Sequence, residues 1–99
     1  IEGRIAVEGH TDDVPINTFA YPSNWDLSAS RSVAVVRRML DIAPLKPTRV
    51  TASGFADTRP QALNSTFEGR ARNRRVEIVV KQPLDEASNK LLNTLDSVN

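Results

Sequence analysis

His10-Thr11-Asp12-Asp13 gathers one imidazole, one hydroxyl and two carboxylates in four consecutive positions, enough for a metal, for proton transfer or for gripping a charged ligand. Imidazole and carboxylate suit zinc or iron. A closed metal site needs a third or fourth ligand, however, and the chain has no second histidine and no cysteine, leaving Asp57 to serve only by coincidence of fold. The simple alternative is that His10 and Thr11 hydrogen-bond a turn while Asp12 caps or orders the loop behind it. No metal and no cofactor are expected. Nucleophilic catalysis fares no better. Serines abound, but His10 is the single histidine, and neither a Gly-x-Ser-x-Gly elbow nor a Gly-x-x-x-x-Gly-Lys phosphate loop occurs. The expectation is a protein that is not an enzyme.

Two groups of arginines come next. Arg70, Arg72, Arg74 and Arg75 put four guanidinium groups within six positions, a cluster that could contact phosphates. Against that, the strand-like segments lack exposed aromatic pairs, Glu68 and Glu77 offset part of the charge, and the net charge is only +1. No nucleic-acid partner is expected. Arg31 falls early in a helical pattern. At about 100° per residue it stands roughly 160° or more from the centre of the apolar stripe formed by Ala29, Val33, Val36 and Leu40. It therefore points away from that stripe, and spacing alone favours a solvated arginine or a salt bridge to Asp26 or Asp12.

The elements that must hold these residues can be read from periodicity. Arg4 to Glu8 alternates, with Ile5 and Val7 on one face of a strand. Residues 10 to 24 form a loop broken by Pro15, Asn17, Pro22, Ser23 and Asn24, and the bulk of Thr18, Phe19 and Tyr21 suggests that it packs on something. A helix runs from Leu27 to about Ile42, with Asp26 as N-cap or first-turn acid and Pro44 and Pro47 as stops. Arg49 to Ser53 is a second strand, ending at Gly54. Strand, crossover helix and strand make a right-handed parallel βαβ unit. After a loop from Phe55 to Asn64, Ser65 and Glu68 have capping-box spacing for a short helix over about 66 to 72, weakened by Gly69. Arg74 to Lys81 is the clearest strand, with Val76, Ile78 and Val80 on one face, and Pro83 ends it. Residues 83 to 99 read as an amphipathic tail helix, with Leu84, Leu91, Leu95 and Val98 on its apolar edge.

Composition sets the outer bounds. Ninety-nine residues, 39% apolar and 25% charged, suit one domain with one small core. No apolar run approaches the roughly 20 residues that span a bilayer. With no cysteine there are no disulfides, and the compartment is left open. Ile1-Glu2-Gly3-Arg4 also matches a protease recognition sequence, although Arg4 runs smoothly into the strand.

Four segments in order carry a resemblance: Val7-Glu8-Gly9-His10-Thr11-Asp12, Ser23-Asn24-Trp25-Asp26-Leu27-Ser28-Ala29-Ser30-Arg31, Ser53-Gly54-Phe55-Ala56-Asp57, and Glu68-Gly69-Arg70-Ala71-Arg72-Asn73-Arg74-Arg75-Val76-Glu77-Ile78. Together they resemble the OmpA-like peptidoglycan-binding family over about residues 4 to 81. The long insert ending in Tyr21-Pro22-Ser23-Asn24-Trp25 is similar to that of flagellar stator proteins of the MotB type. The resemblance implies an α/β (α+β) sandwich, a βαβ-based mixed sheet with helices on one face. It also implies a strand and a helix ahead of the segment matching Arg4 to Glu8, which this sequence lacks. Residues 1–82 would be the peptidoglycan-binding domain, N-terminally incomplete, and 83–99 the tail helix.

The family binds the diaminopimelate-bearing stem peptide of peptidoglycan without covalent chemistry. Carried over residue by residue, the resemblance makes Asp12 the partner of a ligand ammonium and Arg31 the partner of a ligand carboxylate. Thr11 and Asn24 would shape the pocket, and Arg74 would lie near the bound peptide while Arg75 faces another way, since strand neighbours alternate. A zwitterionic amino-acid end needs one anion and one forked cation, so the chemistry is coherent. A stator origin further implies a periplasmic domain of a bacterial inner-membrane protein, a homodimer, and a MotA-type partner reached through an upstream membrane helix. The other parent it allows is an outer-membrane or secretion-associated wall anchor.

Overall fold

The computed structural model describes residues 3–81, in the order β1 (Arg4–His10), α1 (Asn24–Ile42), a 3-10 turn (Pro47–Arg49), β2 (Val50–Gly54), α2 (Phe67–Asn73) and β3 (Arg75–Lys81). The tail helix expected over 83–99 lies outside the described residues. β1 is the central strand of a mixed three-stranded sheet of order β2-β1-β3, parallel to β2 and antiparallel to β3. The crossover through α1 makes the expected βαβ unit, and α1 packs on β1 and β2. No helix among the described residues is long and apolar enough to cross a membrane.

Register assigns every strand residue to a face. Ile5, Val7 and Gly9 pair with Val80, Ile78 and Val76, while Ala6, Glu8 and His10 pair with Val79, Glu77 and Arg75 on the opposite side. The first set faces α1. Ile5 and Val7 are buried there, each stabilising the fold by about 1.5–3 kcal/mol through removal from water. Val76, Ile78 and Val80 share this face as the alternation requires, but α1 lies over the other two strands, so Ile78 and Val80 stay exposed.

The core side of α1 is not the apolar stripe. Ala29 and Val33 are exposed, and Val36 and Leu40 are only half-buried. The fully buried residues are Ser28 and Ser32. The cause is closeness. A Cβ added at Gly9 would collide with the Ser28 carbonyl and lie 2.6 Å from Ser32 Oγ, and one added at Gly54 would lie 2.5 Å from the Ala29 amide nitrogen. At such a crossing only small residues fit, and the serines also use their hydroxyls. Ser32 donates to the Ser53 carbonyl (2.7 Å), and Ser28 accepts from the Ala56 amide (3.0 Å) and donates to the Trp25 carbonyl (3.2 Å). Burial without these partners would cost about 1–3 kcal/mol per group.

The helix ends refine the expected caps. α1 starts three residues earlier than Leu27, with Ser23 as N-cap. Its hydroxyl accepts from the Asp26 amide and donates to the Asp26 carboxylate (2.7 Å), so Asp26 is a first-turn acid and not the cap. α2 is capped by Thr66 and not Ser65, because the Thr66 hydroxyl takes the Gly69 amide at 2.9 Å. The 10–24 loop packs less than the bulk of its side chains suggests: Phe19 is fully exposed and Thr18 exposed, while Tyr21 is half-buried. A local turn braces it, with the Thr18 amide donating to the Tyr21 carbonyl and the Tyr21 amide to Thr18 Oγ1.

Two stability outcomes follow. In urea denaturation, Thr66→Ala should cost about 1 kcal/mol whereas Ser65→Ala stays within about 0.5 kcal/mol. Gly54→Ala should cost about 1–3 kcal/mol, because its methyl meets backbone atoms that cannot turn aside.

Candidate functional site

Beyond the end of β1 the chain turns away from the sheet, and the turn is held at three points. The Thr11 amide donates to the Ala56 carbonyl (2.9 Å), Thr11 Oγ1 donates to the Asp12 carbonyl (2.8 Å), and Asp12 Oδ1 accepts from the Val14 amide (3.1 Å). Ala56, wholly buried, takes a left-handed backbone (φ 52°) to present its carbonyl and amide to Thr11 and Ser28. Such a conformation is uncommon for a residue with a side chain and is kept only where surrounding contacts enforce it. His10 takes no part in the hydrogen bonding of this turn, contrary to the simple expectation. It stacks on Phe55 instead, with centroids 5.3 Å apart and planes 13° from parallel, and the Arg59 guanidinium also lies over the Phe55 ring, 3.9 Å from its centroid.

The turn forms one end of a cavity of about 420 Å³, within the range of small-ligand sites. Thr11, Asp12, Asn24, Arg31 and Arg74, the five residues singled out in the sequence, all line it. Two helices reach it with the same spacing. α1 contributes Asn24, Leu27 and Arg31, and α2 with its C-cap contributes Phe67, Arg70 and Arg74, each set at i, i+3 and i+7 along one helix face. Val14, Pro15 and Ile16 of the loop supply an apolar wall. Sequence reasoning missed Leu27, Phe67, Arg70 and this wall. The repeated spacing was the signal that could have found the helical ones.

Arg31 owes its place to the serine crossing. Taken from the Ser28–Ser32 line instead of the apolar stripe, it stands about 80° to the side, on the flank of α1 and not its back. Among the described residues it makes no ion pair. Asp12 and Asp26, its expected alternatives, are engaged elsewhere. Asp12 Oδ2 accepts from Arg74 Nη1 at 2.8 Å, with Arg74 still 40% exposed, and Asp26 faces Ser23. Asn24 spans from helix to loop, donating to the Val14 carbonyl at 3.1 Å. The cavity therefore holds one carboxylate against three guanidinium groups.

Behind Arg74, the buried Asn73 fixes the 55–64 loop with all four of its amide positions in use. Its Oδ1 accepts from the Gln61 and Ala62 amides (2.7 and 2.8 Å), and its Nδ2 donates to the Ala62 carbonyl and Asn64 Oδ1 (3.0 and 2.8 Å). Arg75, the first residue of β3, turns the other way, donating to the Arg59 and Asn73 carbonyls and lying 3.5 Å from Glu77. Of the clustered arginines, Arg70 and Arg74 thus line the cavity while Arg75 does not.

Comparison with known proteins accords with this arrangement. The OmpA family model matches residues 1–74. The chain is 38% identical over 77 residues to motility protein B of Bacillus subtilis (strain 168), covering 78% of this chain and 30% of that protein. It spans about a third of the length of the curated relatives it matches. A MotB-like protein from Desulfovibrio vulgaris superposes with a TM-score of 0.74 at 42% identity, covering 86% of this chain and 52% of the other. The cell wall anchor of the T6SS from Pseudomonas aeruginosa does so with a TM-score of 0.76 at 46% identity, covering 84% and 57%. With a family match over most of its length, this fold and these relatives, the chain belongs to the OmpA family, as a domain of the MotB-like type.

Proposed function

We propose that this domain binds peptidoglycan without covalent chemistry, taking the diaminopimelate end of a stem peptide in the cavity between Asp12 and Arg31. One observation carries the reading: the two residues line the same cavity, opposite in charge, with no ion pair between them. A zwitterionic amino-acid end offers the complementary pair. Its carboxylate meets the Arg31 fork through two parallel hydrogen bonds. Its ammonium meets Asp12, whose two oxygens have lone pairs beyond those used by Arg74 and the Val14 amide. Thr11 and Asn24 hold the rim, Arg74 orients Asp12 and faces the peptide, and the Val14–Ile16 wall accommodates the ligand's methylene chain.

In this reading the domain is a non-catalytic periplasmic anchor of a flagellar stator, paired with a second copy and joined to a MotA-type subunit through an upstream membrane helix. The likeness to motility protein B and to a MotB-like structure supports it. The likeness to a secretion-system wall anchor favours a second parent with the same wall chemistry. Residues upstream separate the two: a single apolar helix bearing an acidic residue marks the stator, a barrel or lipoprotein signal the other.

Co-sedimentation with purified diaminopimelate-type peptidoglycan tests the site. Asp12→Asn and Arg31→Ala should each weaken pelleting at least about tenfold, since each leaves a ligand charge without its partner. A diaminopimelate-containing tripeptide should release the wild-type protein from the pellet. Two variants that fold normally and pellet like wild type would remove Asp12 and Arg31 from the site.

A further inference from the structure

On the sheet face away from α1, β1 and β3 bring together three side chains that the cavity does not use. Glu8 and His10 lie two residues apart on β1, and Glu77 stands directly opposite Glu8 on β3. One potential ligand atom from each falls within 4.8 Å of the others. Like charges directly opposite across strands are destabilising, and Glu8 makes no ion pair among the described residues. The Arg75 guanidinium compensates only one side, at 3.5 Å from Glu77 Oε2.

His10 gives the independent observation. Its side chain is 2% exposed, yet neither ring nitrogen has a hydrogen-bond partner. Nε2 lies 3.1 Å from Glu77 Oε2, but the oxygen is off the line on which a ring N–H would donate, so the contact is electrostatic only. A buried imidazole is thus aimed at two carboxylates without being satisfied by them. Burial lowers its pKa from the ordinary value, and Arg75 adds to the fall against the opposing influence of Glu77 and Glu8.

We propose that Glu8, His10 and Glu77 bind one divalent transition-metal ion of the zinc class. Imidazole with two carboxylates is a donor set for zinc and its neighbours, whereas magnesium and calcium take oxygen donors. Bonds of about 2.0–2.2 Å to all three atoms require them to draw slightly closer, a movement that half-buried glutamates make by rotation. The ion joins β1 to β3, neutralises the opposed glutamates and leaves a coordination position for water. It lies on the other side of the sheet from α1, so it adds to the domain's rigidity and takes no part in the ligand cavity.

Calorimetric titration of the full 99-residue chain with zinc chloride, after chelator treatment and dialysis, decides the matter, with cobalt(II) absorption as a second readout of the ligand set. One saturable equivalent is expected, indifferent to millimolar magnesium. Glu8→Gln is the cleanest variant, because Glu8 makes no side-chain hydrogen bond or ion pair among the described residues whose loss could disturb the fold. It and Glu77→Gln should each lower zinc affinity at least about tenfold, a loss that even outer-sphere partners of metal ligands produce. Far-UV circular dichroism checks that both variants remain folded. Absence of a saturable equivalent in the wild type overturns the proposal, as does wild-type affinity in a folded Glu8→Gln variant.

Discussion

Everything in this domain is keyed to the contact between the α1 backbone and the glycines at the ends of β1 and β2. Helix and sheet meet there with almost no side chain between them, and the two buried serines convert the contact from mere proximity into defined hydrogen bonds. A helix held by intervening leucines can roll by some degrees at small cost. One that presses its carbonyls against glycine Cα atoms cannot. The rotation of α1 is therefore fixed near its first turns, where Asn24, Leu27 and Arg31 face the cavity. The same serine that receives the Ala56 amide holds the loop whose carbonyl takes Thr11, so sheet end, helix start and β2 exit share one hydrogen-bonded knot.

The cavity that results is electrostatically lopsided. Asp12 is half-claimed by Arg74 and by the backbone of its own turn, which fixes the carboxylate in place before any ligand arrives. Among the described residues, Arg31 has no such claim on it. One pole is preorganised and the other free, so a ligand meets a rigid anion and an adaptable cation, and the entropic cost of binding falls mainly on one side chain.

The strands and the crossover helix were legible in the sequence because alternation and helical spacing encode them directly, whereas Arg74 reaches the cavity as the C-cap of α2 and not as a strand residue. The buried face of α1 was not. Hydropathy periodicity selects large apolar residues, whereas a close crossing selects small ones, and Ser28 and Ser32 carry no hydrophobic signal. Arg31 illustrates the consequence: it belongs to the cavity, but its true direction follows from the serine line and not from the apolar stripe. Leu27, Phe67 and Arg70 were hidden because each is ordinary alone and acquires meaning only when two helices converge. The Glu8–Glu77 apposition depends on an antiparallel register that no local pattern specifies.

The loop between β1 and α1 carries a further implication through the way its two ends are secured. Its first residues are tied to Ala56 and its last to the Ser23 cap and the Val14 carbonyl, while among the described residues its middle is braced by its own Thr18–Tyr21 turn and leaves Phe19 in water. Since closing a longer loop adds only slowly to the entropic cost, the middle can grow, shrink or change composition while the distance between the two charged poles stays constant. The middle of the loop and the charged ends of the cavity are thereby separable: the first can be rewritten while Asp12 and Arg31 keep their places.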